Sequence, residues 1–295
     1  MQYTFKNINA WGDPVVDDYL GVSMQMWLEW ALLCAGAIQT CQIGSPGYDG
    51  IDLTSMSLET GPNYLSGLTY RAPRSQWVWE QSVPGQTTIV PSIYVDNILI
   101  TSGYTINYPM GQINFQNQLP KNSLVNAAYT YRYVQVRRAD EPWFRKLLQD
   151  TFSVQPAPTP ASIPPQSLVQ LPCYVVEVIP VSMTGNPYEL GNTSRFHKQN
   201  IAVHCLAETP WERKSLSGIL QEQYDIQIPG VNLSTISMPL AFDGQIINPV
   251  NYPNLQAANQ WRPIRLRSIT STEVSNMGPT LYWSTTMIET ETIIA

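Results

Sequence analysis

The sequence predicts an α+β protein in three parts: an N-terminal helical region with an antiparallel β module, a proline-rich linker, and an α+β sheet domain with one covering helix. Three observations lead there. Across residues 89–136 short alternating segments are separated by turn residues; in the last of them Val125, Ala127, Tyr129, Tyr131 and Tyr133 share one face, and Asn126, Ala128, Thr130 and Arg132 the other. Residues 154–167 (VQPAPTPASIPPQS) hold five prolines in fourteen positions, too stiff for a helix and too poor in donors for a central strand. Beyond them a strand pair, a capped helix and a long hairpin follow one another. The predicted division is therefore 1–153, 154–168 and 169–295, in keeping with about 150 residues per domain.

The first sixty residues read as helical. Asp13-Pro14 supplies a cap followed by proline, Trp27, Trp30, Leu33 and Cys34 are expected on one face, and Gly44-Ser45-Pro46-Gly47 marks the end. The apolar run 26–38 (MWLEWALLCAGAI) is interrupted by Glu29 and too short to cross a bilayer, so it reads as a buried helix. Residues 48–79 predict irregular loops with one or two strands. From Ile89 onward, turns are expected at Asp96-Asn97, at Tyr108-Pro109-Met110-Gly111 and at Pro120-Lys121-Asn122. Residues 141–149 read as a short helix capped by Asp140, with Trp143 facing Leu147.

In the second half, residues 173–183 predict a strand broken near Pro180, and 196–207 a neighbouring strand. Thr209-Pro210-Trp211-Glu212 combines a cap, a proline at the first helical position and a glutamate three residues after the cap. The helix it opens is expected to run to about residue 223, with Leu216, Ile219, Leu220 and Gln223 inward. Residues 224–228 then predict a strand, and 264–274 with 281–294 a long hairpin around Asn276-Met277-Gly278-Pro279.

Composition narrows the function. Charged residues make up only 13% of the chain, about half of the roughly 25% usual for soluble globular proteins. A surface rich in neutral polar groups can be covered by neighbours without stranding charges. The net charge of −6 argues against a protein that wraps nucleic acid, which needs clustered Lys and Arg. Cys34, Cys41, Cys173 and Cys205 form no CxxC pair and no Cys/His cluster at zinc spacing, so they read as buried free thiols, with Cys173 and Cys205 as candidate strand neighbours.

No enzymatic motif stands out, so the sequence predicts no catalysis, no cofactor and no metal. His197 and His204 are the only imidazoles; seven apart on one strand, they point to opposite faces and are expected to be hydrogen-bonded structural groups. His204 and Cys205 also face apart, which disfavours a nucleophile–base pair. The acids of Tyr48-Asp49-Gly50-Ile51-Asp52 lack the ligand series of a calcium loop. GxGxxG, GxxxxGK[ST] and GxSxG are all missing from the sequence. Trp27, Trp30, Trp143 and Trp211 lie on or at the start of predicted helices, where core anchoring or subunit contact is the usual use.

The strand NIAVHCLAE, the helix TPWERKSLSGILQEQ after it, the strand YDIQI and the final strand TLYWSTTMIETETII resemble the tail-terminator and neck-connector proteins of tailed bacteriophages, over roughly residues 170–295. The YVDNILITSGYTINYPMGQINF and AAYTYRYVQV segments look like a β module of phage virion proteins, which compact terminators lack. The resemblance implies a structural protein of the virion, assembled in the host cytoplasm. It would form a homo-oligomeric ring at the head–tail junction against adjacent neck, connector or tail proteins. DNA would pass through without specific binding, and no membrane is involved. The candidate subunit-interface residues are Trp143, Trp211, Arg213, Tyr129, Tyr131 and Tyr133. The rival expectation is a receptor- or glycan-binding β-rich virion protein that uses exposed aromatic rings as stacking platforms.

Overall fold

The computed structural model describes residues 15–44, 52–60, 67–80, 83, 90–141, 144, 169–187, 195–235, 240–241, 243–247, 254, 257–258, 260–274 and 281–294. The Asp13-Pro14 helix opening, Trp143 with most of the predicted 141–149 helix, the 154–168 linker and the 276–279 turn lie outside the described residues. Within them the fold is mixed α and β and mostly β, with a helical N-terminal region and three sheets.

Helix α1 spans Val16–Cys34. Asp18 accepts a hydrogen bond from the Val15 backbone N–H at 3.1 Å, satisfying a donor at the positive end of the helix. The helix ends earlier than the Gly44 signal suggested. Gly36 adopts a left-handed φ of 82°, Ala37 N–H reaches back to Leu32 O at 2.9 Å and Gly36 N–H to Leu33 O at 3.1 Å, the double closure of a Schellman stop. The helix buries two faces. Leu20, Met24, Leu28 and Leu32 enter one core, with Trp27 against it; Met26 and Leu33 enter another, with Trp30 against it. The two tryptophans therefore serve different cores, and Cys34, read as buried, is exposed.

Two four-stranded antiparallel sheets form the β module. One has the order β1 (Ile38–Cys41), β8 (Val125–Arg132), β4 (Ser92–Val95), β5 (Ile98–Ile100); the other runs β2 (Ser57–Leu58), β3 (Thr69–Arg71), β7 (Gln112–Phe115), β6 (Tyr104–Asn107). They share a core around Trp77, Ile93, Ile113, Phe115 and Tyr129. All three turns predicted in this region separate strands. At the first, Asp96 and Asn97 both take positive φ, 51° and 66°, the paired left-handed geometry of a two-residue hairpin whose twist matches the flanking strands.

Strand β8 departs from a half-exposed strand in its second half. Asn126 and Ala128 are partly exposed as the alternation predicts, but Tyr129, Thr130, Tyr131 and Arg132 are all buried. The face carrying Thr130 and Arg132 is covered in turn: Arg132 lies 3.5 Å from Glu29 of α1 and also pairs with Glu80.

The third sheet has six strands in the order β12-β13-β14-β11-β10-β9: β12 Gln227–Ile228, β13 Ile264–Val274, β14 Tyr282–Ile294, β11 Arg195–Ala207, β10 Cys173–Pro187 and β9 Gln135–Arg138. Every pairing is antiparallel except β9 with β10, which is parallel. The β10–β11 register slips between Val178 and Ser182, flanking Pro180, whose missing N–H interrupts the ladder. The predicted strand over 224–228 contracts to Gln227–Ile228 because Asp225 takes a φ of 61°, a left-handed geometry that breaks an extended strand.

One covering helix was expected; two helices share that face. Leu20, Met24, Leu28 and Leu32 of α1 and Leu216 and Leu220 of helix α2, Pro210–Gln221, contribute to one core with Val134, Val136, Tyr174, Val203 and Leu266. That core draws on residues from both sides of the 154–168 segment. The opposite face carries a smaller cluster of Phe144, Cys173, Val175, Leu206 and Trp283. Cys173 and Cys205 lie on neighbouring strands but in different clusters, on opposite faces of the sheet.

Candidate functional site

The helix singled out by its capping signature also carries the most exposed aromatic ring among the described residues. Thr209 Oγ1 accepts the Glu212 backbone N–H at 3.2 Å and donates to the Glu212 carboxylate at 2.9 Å, while Pro210 opens the first turn. Inside, Leu216 and Leu220 are buried, Ser217 Oγ lies 2.5 Å from Ser284 Oγ, and Tyr174 Oη donates to Leu216 O at 2.9 Å. Tyr133 Oη donates to the Glu212 carboxylate. These contacts fix which flank turns outward. Removing the cap by Thr209→Ala is expected to lower stability by about 1 kcal/mol, read as a drop in melting temperature.

Outward on α2 lie Trp211, 76% exposed, and Ile219, 41% exposed, eight positions apart with Ser215 between them, so one stripe of the helix surface carries both. Ile219 was expected inward; Leu216, Ser217 and Leu220 take the inner positions instead. Tyr224 continues the exposed apolar surface past the helix end, at 65% exposure.

Beside this stripe a groove of about 190 Å³ lies between α2 and β13, lined by Arg213, Lys214, Ser217, Gly218, Ser271 and Glu273 among others. Arg213 donates to Glu273 at 2.6 Å, and that bond holds the Glu273 carboxyl below the ordinary glutamate range. Space is open above Gly218, where an added methyl group would meet no neighbour within 4 Å. Two hydroxyl pairs, Ser217 with Ser284 and Ser271 with Thr286 at 2.8 Å, tie the groove floor to β14.

A second cleft, about 350 Å³, opens across the sheet where β9 leaves β10, and holds Asp17, Asp18, Arg138, Asp140 and Glu177. Burial pushes the Asp17 carboxyl up, against the opposing pull of His197. Glu177 is held low, first by its hydrogen bond to His204. His204 is buried, and both its nitrogens are engaged: Trp283 Nε1–H donates to Nδ1 at 3.2 Å, and Nε2 lies 2.9 Å from the Glu177 carboxylate. An indole N–H only donates, so Nδ1 accepts and Nε2–H donates to Glu177. His197 is buried on the α1 side of β11, and its Nε2 has no hydrogen-bond partner among the described residues.

The structure separates the candidate interface residues. Trp211 is exposed; Arg213 lies beside it with its side chain 12% exposed. Tyr133 is partly buried against the α2 start. Tyr129 and Tyr131 face inward at 0% and 2% exposure: the first stacks on Trp77 with ring centroids 4.3 Å apart and donates to Leu53 O at 2.7 Å, and the second donates to Gln39. Their rings belong to the core and present no exposed face. No protein-family model matches the chain, and no curated protein matches it. Sequence reasoning missed the two clefts, because each is assembled from elements far apart in the chain; it also missed the exposed Ile98, Leu99 and Leu124 around the β4–β5 hairpin, whose apolar edge was visible only as strand.

Proposed function

We propose that this chain is a structural protein of the neck of a tailed-phage virion, a ring-forming component that joins the tail to the connector and surrounds the passage for DNA. The observation that carries the reading is Trp211: a large ring left 76% exposed on a helix whose opposite flank is tied down by a cap, two buried leucines and three side-chain hydrogen bonds. Exposed tryptophan on a rigid support is the usual make-up of a binding hot spot. The helix and the three strands that resemble terminator proteins are α2, β11, β12 and β14, all within one sheet unit, so the exposed tryptophan lies within the resembling segment. A chain poor in charge suits the burial that ring packing demands.

Trp211→Ala tests it. The variant is expected to melt within about 0.5 kcal/mol of the parent, since the side chain makes few contacts within the fold. Its self-association should weaken by at least about thirty-fold, the equivalent of about 2 kcal/mol at a hot spot. Sedimentation and negative-stain imaging read the assembly state. A parent protein that stays monomeric at high concentration and is missing from purified particles would remove the proposal.

A further inference from the structure

Among the described residues the six-stranded sheet ends in two open edges. On one side β9 pairs only with Cys173–Val176 of β10, which continues to Pro187. On the other, β12 pairs with Ile264 and Arg265, Leu266 bonds to Asp225 and Ile226, and from Arg267 to Val274 no described strand lies outside β13. Unpaired N–H and C=O rows of this kind are templates for another strand.

We propose that copies of this chain associate head to tail, the β13 edge and α2 groove of one meeting the β10 edge and acidic cleft of the next. The inference rests on the assembly reading above and names its interface. Strand direction permits it: three antiparallel steps separate β13 from β10, so the two run oppositely, and a lateral repeat of the protomer sets them side by side as an antiparallel pair, the better-bonded arrangement. Pro180 lacks an N–H and Ile179 O already accepts from the Gln199 side chain; Val176 O turns outward to Ala139 N, so two residues on Val178 also turns outward, which places the contact on β10 at Val178, beside the cleft.

Charge selects this pairing over a symmetric one. In the cleft four carboxylates, Asp17, Asp18, Asp140 and Glu177, surround one guanidinium, Arg138, a formal balance of −4 + 1 = −3. In the groove Arg213 and Lys214 stand against Glu273, a balance of +2 − 1 = +1. Cleft against cleft would bring like charges together, which repels; groove against cleft is attractive. A contact between two different patches of the same chain generates a ring when its rotation closes.

The test uses two variants of the whole chain. The groove variant, Lys214→Glu/Thr272→Glu, changes two exposed positions; the cleft variant, Asp17→Lys/Asp140→Lys, reverses the acids. Each alone is expected to associate at least tenfold more weakly than the parent and to remain monomeric where the parent assembles, the groove variant with an unchanged melting profile. An equimolar mixture should form dimers and nothing larger, since the intact groove of one variant meets the intact cleft of the other and both outer sides are broken. Should the cleft variant fold poorly, Asp140→Lys alone, at a side chain 60% exposed, takes its place. Variants that assemble like the parent, or a folded mixture that stays monomeric, overturn the head-to-tail contact while leaving the assembly reading intact. A parent that never assembles overturns both.

Discussion

Replacing Arg132 with methionine is expected to destabilise the fold by about 3–5 kcal/mol at neutral pH, the usual consequence of breaking a buried ion pair from one side. Arg132 is buried in the second half of β8; its guanidinium donates to Glu80, which is 2% exposed, and sits 3.5 Å from Glu29 on α1. Two carboxylates thus share one cation at the seam between the helix and the β module. Burial pushes the Glu80 carboxyl above the ordinary glutamate range; Arg132 pulls it back, and Glu29 pushes it up again. A carboxyl whose folded value lies above its unfolded one stabilises the fold fully below the unfolded value, and that contribution is lost as pH rises through the folded value. Removing Arg132 raises the folded value further. The deficit of Arg132→Met should therefore be largest near pH 7 and shrink as pH falls toward 4, measured by urea unfolding at each pH. Adding Glu80→Gln in the same background should restore most of the loss at pH 7. A deficit that stays constant from pH 7 to pH 4 would mean that packing, and not the stranded carboxylate, sets it.

Local chemistry was legible wherever the deciding residues were close in sequence. The Asp96-Asn97 turn, the Thr209-Pro210-Glu212 helix start and the 264–274 and 281–294 hairpin strands each depend on a handful of consecutive side chains, and each is present. The Gly36 stop was also readable, since Cys34-Ala35-Gly36-Ala37 follows the last apolar residues of α1, yet the stronger-looking Gly44-Ser45-Pro46-Gly47 cluster drew the boundary eight residues too far. Tertiary pairing was not legible. Nothing in QVRR says that β9 will add in parallel to β10 across the proline-rich segment, because a short strand of mixed residues fits any edge with matching exposure. Period 2 showed that Tyr129, Tyr131 and Tyr133 share a side; it is silent on whether that side faces solvent. Here the first two point into the sandwich, because Trp77 and Leu53 are waiting there, and the helix α1 closes the other side. The acidic cleft and the α2 groove were hidden for the same reason: Asp17 and Glu177 are 160 residues apart, and only the fold brings them to one edge.

The two tryptophans Trp77 and Trp211 should respond to alanine in opposite ways, and the contrast separates interior from interface. Trp77 is 1% exposed. It stacks on Tyr129 at an interplanar angle of 16°, donates its indole N–H to Arg74 O at 2.9 Å, and through its backbone bonds Tyr108 O at 2.9 Å. The turn at Gly111 is folded against the same ring: a side chain there would meet Arg74 O at 2.5 Å and Trp77 Nε1 at 3.0 Å, so the loop and the indole hold each other in place. Truncation leaves a cavity between two sheets that meet around this ring, and its rigid neighbours, Tyr129, Ile93 and Ile113, are themselves fully buried and have little freedom to collapse into it. Trp77→Ala is therefore expected to cost about 3–5 kcal/mol, at or near the whole stability of a marginal domain, and to appear as a lower midpoint in urea with an unchanged slope. Tyr129→Phe, which keeps the stacked ring and loses the hydroxyl with its bond to Leu53 O, should cost about 1 kcal/mol. If Trp77→Ala proved as mild as Trp211→Ala, the sandwich core would not be organised around this ring, and the inward placement of the tyrosine ladder would have to be given up with it.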